Sequence, residues 1–283
     1  MASLIADERD MPVEDSFLGF ASFQTPPLSD FPEFGDLIRD KNPLHRDQAY
    51  AQAQGCLAPP VFGVALEALA YEVITKNKIF TDFQAQHYVP THLSFKFSEP
   101  VYAGERVILA NGNLSLPEGS LTLKYCALSN SKDVFNGSIK IGNEYPSFVP
   151  PEGEVLIDYQ QEITEDDAQR FYALLGCKQS ESVSPLQVAA QIPAALLQLS
   201  QERSGTLQGK YAGMRLELYA DPRPGRYHTT ISLRSAKARQ QPEKVYIYNI
   251  QGTCYQEEQP FLVGEMMVFH PCELRNTPTE AKT

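Results

Sequence analysis

Twice along this chain a short amphipathic helix is followed by a long apolar helix and then by a run of strands, and the repetition leaves few folds open. In the first half the short helix is expected over 31–39. The long one begins near Pro59-Pro60 and sets Phe62, Leu66, Leu69 and Val73 on one face, the spacing of a buried stripe. Proline suits a first helical turn, where its missing N–H has no partner to lose. Leu93, Phe95 and Phe97 then alternate with Ser94, Lys96 and Ser98, and further strands are expected over 106–116, 121–130 and 134–141. A proline-rich stretch, Tyr145 to Gly153, reads as a linker. Beyond it the plan restarts. Thr164 and Asp167 form a capping pair ahead of Phe171, Leu174 and Leu175, and Val188, Ile192, Leu196 and Leu199 mark a second long helix. Pro193 kinks that helix or marks its true start. Met214, Leu216 and Leu218 alternate in a strand, and others are expected near 227–234, 245–255 and 261–270. The expectation is a duplicated α+β architecture: a unit over 1–144, a linker over 145–154, a second unit over 155–275 and a disordered tail over 276–283.

The two copies differ at one place. Matching Phe34 to Phe171 gives an offset of 137 and sets Cys177 opposite Asp40; matching Pro59 to Pro185 gives 126, and Pro100 to Pro222 gives 122. The second copy is therefore shorter between its short and long helices. The first copy carries Asp40-Lys41-Asn42-Pro43-Leu44-His45-Arg46-Asp47 there. Asn before proline is pushed out of the helical region, so the chain turns between Asp40 and His45. That turn lets a carboxylate and an imidazole converge on one water or hydroxyl, which general acid–base chemistry requires. The bland alternative is a capped turn in which Asp and Asn serve only backbone N–H groups. Asn42 suits the turn itself, and Asp47 suits a cap for the segment that follows.

Composition narrows the function. A net charge of -11 without clustered Lys or Arg argues against nucleic acid. Five widely spaced cysteines fit no metal site and suggest reduced, mostly buried thiols. His87 and His92, without ligand-spaced partners, read as strand-edge residues. Residues 1–15 lack the order of a signal peptide, and the longest apolar run, 61–74, contains Glu67 and Glu72. A cytoplasmic chain with no membrane association, metal or cofactor is expected; glycine-rich phosphate loops and a Gly-x-Ser-x-Gly elbow are absent.

The Asp40–Asp47 loop, the helix after it and the segment Leu93 to Glu105 resemble the MaoC-type hydratase/dehydratase group of the hotdog superfamily in its double-hotdog form. The resemblance covers about residues 40–105 and extends to the second half only in outline. It implies a long central helix wrapped by an antiparallel sheet in each unit, and a pseudo-dimer within one chain, alone or paired with another copy. It implies an acyl thioester of coenzyme A or acyl carrier protein as partner, with water added or removed across C2–C3 to relate an enoyl to a (3R)-hydroxyacyl thioester. Asp40 and His45 would be catalytic, and Asn42, Val61, Phe62, Gly63 and Leu66 would contact substrate. The family usually opens its long helix with Ala-His-Gly, whose N–H groups stabilise the oxyanion; here Ala58-Pro59-Pro60 stands there, leaving Val61 or Phe62 to supply an N–H. That start resembles the non-catalytic half of double-hotdog dehydratases. Two alternatives stay open. One is a hotdog thioesterase, or a dehydratase using an acid on the long helix, with Glu67 as the carboxylate, against the simpler reading of Glu67 as a partly solvated acid near a helix start. The other is a non-catalytic protein that binds acyl chains or a carrier, with Arg39, Lys41 and Arg46, or Arg203, Lys210 and Arg215, as a basic rim.

Overall fold

The computed structural model describes residues 21–115, 120–178, 182–207, 209–239, 245–271 and 273–274, with the side chains of 79 and 111–115 excepted. The regions expected as N-terminal acidic segment and disordered tail, and Cys272, lie outside them. In chain order the elements are β1 (Ala21–Gln24), α1 (Phe31–Leu37), α2 (Gln48–Ala53), α3 (Gly63–Thr75), α4 (Lys78–Gln84), β2 (Val89–Phe97), β3 (Arg106–Ser115), β4 (Ser120–Ser129) and β5 (Lys132–Gly142). Then follow β6 (Glu154–Ile163), α5 (Glu165–Leu174), α6 (Pro185–Ala189), α7 (Gln191–Ser204), β7 (Lys210–Leu218), β8 (Gly225–Arg239), β9 (Val245–Gln256) and β10 (Gln259–His270).

All ten strands join one sheet in the order β1-β3-β4-β5-β2-β7-β10-β9-β8-β6, every neighbouring pair antiparallel. The order reads the same from either edge once β1 is matched with β6 and β2 with β7. At the centre Leu93 faces Leu216 and Ser94 faces Arg215. With the offset of 122, Leu93 corresponds to Arg215 and Ser94 to Leu216, so each pair maps onto the other with its members exchanged. This is the signature of a two-fold axis through the junction, and it is the pairing a homodimer of single units would make. A second contact agrees: Phe34 and Phe171, matched by the offset of 137, meet with ring centres 5.5 Å apart.

Alternation builds the sheet's buried face. Leu93 and Phe95 of β2, Leu121, Leu123 and Tyr125 of β4, and Met214, Leu216 and Leu218 of β7 are all buried. On this face lie α3 and α7, with Leu66, Leu69, Ile192, Leu196 and Leu199 buried. α7 approaches so closely that a Cβ on Gly252 would stand 2.7 Å from Ile192, which is why β9 carries no side chain there. Burying a leucine fully contributes about 1.5–3 kcal/mol, so this shared core holds helix and sheet together.

Four sequence expectations are corrected. The first long helix does not start at Pro59-Pro60 but at Gly63, with Phe62 as its N-cap. Consecutive prolines favour extended backbone, and Pro60 instead bridges to Tyr102 while the Val61 N–H donates to Val101 O at 2.8 Å. Glu67 is not partly solvated; it is fully buried within α3. His92 is no strand-edge residue but sits in central β2, with Nε2 3.2 Å from Glu217 of β7. Of the free cysteines among the described residues only Cys254 is buried; Cys56, Cys126 and Cys177 are half-buried. The second long helix breaks at Ala190, giving α6 and α7, and Pro193 lies in the first turn of α7. Three elements carried no readable signal: β1, α4, and β6, whose Gln160-Gln161-Glu162 masks its alternation.

Candidate active site

Arg39, just past α1, adopts the left-handed region (φ 57) and turns the chain out of the helix. Asp40 then accepts the Asn42 N–H at 2.9 Å, and Asn42 Oδ1 accepts the Leu44 N–H at 3.0 Å. These two side-chain turns cap a single 3-10 turn over Pro43–His45, with proline in its favoured first position. The Asn42 amide also donates to Gly209 O at 3.1 Å, tying the loop to the second half just before β7. Asp47 caps α2 through the Tyr50 N–H at 2.9 Å. Arg46 holds the loop to α1 by donating to Asp36 at 2.9 Å.

The loop buries both chemical groups: Asp40 is 7% and His45 9% exposed. His45 Nδ1 lies 2.8 Å from Pro60 O. A carbonyl only accepts, so Nδ1 carries the hydrogen and Nε2 of the neutral ring keeps a free lone pair. The imidazole stacks on Phe62 with ring centres 4.3 Å apart, and Phe62 in turn packs on Phe31 and Phe34. Burial pushes the Asp40 carboxyl above its ordinary range, more than His45, the Asn42 N–H and Arg46 together pull it down.

Asp40 and His45 open onto a cavity of about 430 Å³. Asn42, Val61, Gly63 and Leu66 line it from the first half; Phe62 does not, because its ring supports His45 from behind. The other wall comes from the second half: Pro193, Leu196, Tyr211, Met266 and His270. His270 is buried, with Nε2 2.8 Å from Ser200 Oγ. None of these second-half residues was nominated by sequence for the site, apart from Lys210 as a rim charge, which also lines the cavity. Glu67 does not line it. Both Glu67 carboxyl oxygens lack a hydrogen-bond partner, and burial pushes this acid up to about 8. Among the described residues no group of three or more His, Cys, Asp or Glu gathers as a metal site would need, and no helix is long and apolar enough to cross a membrane.

Known proteins place this geometry. No protein-family model matches the chain. Among curated sequences, a UPF0336 protein of Saccharopolyspora erythraea is 32% identical over 105 residues, covering 34% of this chain and 66% of that protein. A UPF0336 protein of Thermobifida fusca is 37% identical over 79 residues, covering 26% of this chain and 51% of that one. The chain thus spans between about half and two thirds of the length of these relatives. Among solved structures, a MaoC-like dehydratase aligns over 89% of this chain and 98% of its own, with TM-score 0.62 and 11% identity. A putative MaoC domain dehydratase from Chloroflexus aurantiacus covers 89% and 95%, with TM-score 0.65 and 10% identity. A Mycobacterium tuberculosis protein described as having a double hotdog fold covers 88% and 95%, at 0.63 and 11%. The fold is therefore that of the double-hotdog, MaoC-like dehydratases. Thioesterases also align, at TM-scores of 0.50 and 0.51.

Proposed function

We propose that the chain is a (3R)-hydroxyacyl-thioester dehydratase, equivalently an (R)-specific enoyl-thioester hydratase, acting on an acyl chain carried by coenzyme A or acyl carrier protein. The first half, 1–144, supplies the chemical pair, and the second, 155–275, a degenerate copy joined by residues 145–154, supplies acyl-binding wall. The observation that carries this reading is the convergence of Asp40 and His45 on one largely apolar cavity, with the histidine tautomer set by Pro60 O.

The arrangement suits water addition. One water proton points at the His45 Nε2 lone pair and the other at the Asp40 carboxylate, which turns the water oxygen toward C3. As the C3–O bond forms, Asp40 takes the proton and returns it to C2 on the same face; the charge that gathered on the thioester oxygen meanwhile collapses back into the carbonyl. One O–H bond and the C2–C3 π bond are lost, and C3–O and C2–H are gained. Dehydration runs these steps in reverse. Positioned proton transfer of this kind accounts for about 10²–10⁴-fold in rate. The remaining 430 Å³, walled by Leu66, Leu196 and Met266, suits an acyl chain. Hydrolysis through Glu67 is disfavoured, because that carboxyl stands outside the cavity lining.

The test is an absorbance assay of the conjugated enoyl thioester with crotonyl- and octenoyl-coenzyme A, repeated on acyl carrier protein. Wild-type protein should consume the enoyl signal, and Asp40→Asn and His45→Gln should each lose about 10²–10⁴-fold. Thiol release without hydration would replace this reading with a thioesterase. Silence on both carriers would replace it with a binding protein.

A further inference from the structure

Hydration of an enoyl thioester needs a hydrogen-bond donor at the thioester oxygen, where negative charge builds before C2 is protonated. The two prolines ahead of α3 narrow the backbone groups that can provide it. Pro59 and Pro60 have no N–H, the Val61 N–H is committed to Val101 O, and the Ala65 and Leu66 N–H groups donate to Phe62 O, which leaves the N–H groups of Phe62, Gly63 and Val64 at the helix start. The cavity also holds a side-chain O–H that finds no acceptor among the described residues. The Tyr211 hydroxyl, from the start of β7, is buried and has no hydrogen-bond partner within bonding distance. It lies directly over the first turn of α3: a Cβ on Gly63 would run into its oxygen, so the residue at Gly63 must be glycine for the phenol to sit there. From the helix the Val64 N–H approaches the phenol oxygen, and the Glu67 and Asp40 carboxyls act on it electrostatically. Its ring is fixed edge-on to Phe97, with centres 5.9 Å apart.

We propose that the Tyr211 hydroxyl donates the hydrogen bond that holds the thioester oxygen, making the second half a supplier of a catalytic group as well as of wall; the assignment rests on the dehydratase reading above. The phenol oxygen sits over Gly63 at the positive end of α3, beside the N–H groups of the first turn. It thereby relays that polarisation outward through its own O–H. Burial, with the Glu67 and Asp40 charges beside it, keeps the phenol protonated far above neutrality, so it acts as a donor throughout the working range. The bond strengthens as charge develops and adds little to ground-state binding.

Tyr211→Phe keeps the ring and its contact with Phe97 and removes only the O–H. The expected result on enoyl-coenzyme A is a fall in kcat of roughly 10²–10³-fold with KM changed by less than about threefold. A second readout does not depend on turnover. Butyryl-coenzyme A labelled with ¹³C at the thioester carbonyl cannot be dehydrated, and bound to wild-type protein its carbonyl stretch should move to lower frequency than in water. In Tyr211→Phe that stretch should return to higher frequency, with an unchanged thermal midpoint in both proteins. An unchanged kcat, or a carbonyl stretch that is the same in the two proteins or unshifted in wild type, overturns the assignment. A wild-type protein that hydrates nothing but whose carbonyl shift depends on Tyr211 sinks the dehydratase reading and leaves Tyr211 as the donor to a bound thioester.

Discussion

The segment between α1 and α3 and its counterpart between α5 and α6 begin from matching helices and end at matching helices, yet only the first brings a carboxylate and an imidazole to the cavity. In the first half the chain has room for Arg39 to reverse, for Asp40 and Asn42 to cap a 3-10 turn, and for α2 to follow. In the second, Cys177 stands at the place of Asp40, with its thiol near Leu175 O, and Ser184 soon caps α6 through the Leu186 N–H at 3.3 Å. Length matters here as much as residue type: without the longer loop no side chain can be carried back over the start of the long helix. Without that loop the second copy keeps the fold and gives the cavity its other wall, with Pro193 at the position equivalent to Glu67.

The strongest way to break this comparison is to treat the matched pair alike. Asp40→Asn should lower hydration by about 10²–10⁴-fold, whereas Cys177→Ala should leave it within about twofold; equal losses would mean the second loop is functional. On the proposed mechanism the Asp40 carboxyl also sets the acid limb of kcat/KM. Because burial raises it, that limb should lie above the ordinary 3.8, with activity lost as pH falls through it and the carboxylate takes up a proton. A limb at or below 3.8 would show that the carboxyl is solvated in the working enzyme.

The buried polar groups of the two long helices offer the next test. Gln191 of α7 accepts the Thr229 hydroxyl at 2.8 Å, but Glu67 of α3 has nothing. With its pKa raised from 4.5 to about 8, folded Glu67 holds a proton that the unfolded chain has released. Stability is therefore fully present below 4.5 and falls as pH rises toward about 8, by on the order of 4 kcal/mol over the window. Glu67→Gln should flatten this part of the stability curve, measured by urea unfolding between pH 5 and 9. A wild-type curve no steeper than the variant's would place a charged partner or solvent beside Glu67. Smaller still, Asn42→Ala removes two loop hydrogen bonds, one of them to Gly209 O, and should cost about 1–2 kcal/mol in stability and about tenfold in kcat. Loss of stability with full activity would show that the loop finds its shape without the second half.

Much of this was legible in the chain itself. The duplication, most strands and the Asp40–His45 turn depend on periodicity and on what proline forbids, which are local matters. What escaped was everything fixed by strand register. Tyr211 reaches the start of α3 because β7 pairs with β2, and no spacing within Gly209-Lys210-Tyr211 announces that neighbour. The burial of Glu67 was hidden for a related reason: α3 is apolar on nearly every side, since sheet and second-half helices cover it all round. The helix start was misplaced because Pro59-Pro60 obeys two rules at once, and the acceptor at Val101 decides for extended backbone.

The peptide unit between Pro60 and Val61 has its two polar ends engaged at once: its N–H donates to Val101 O, and its C=O accepts from His45 Nδ1. Hydrogen bonds in such a chain polarise one another, so pulling electron density from one end sharpens the other. The chain at residue 101 is thus joined to the imidazole through a single amide, and anything that loosens the Val61–Val101 bond should weaken the hold of Pro60 O on His45 Nδ1. One peptide group with no charge of its own fixes which imidazole nitrogen faces the cavity.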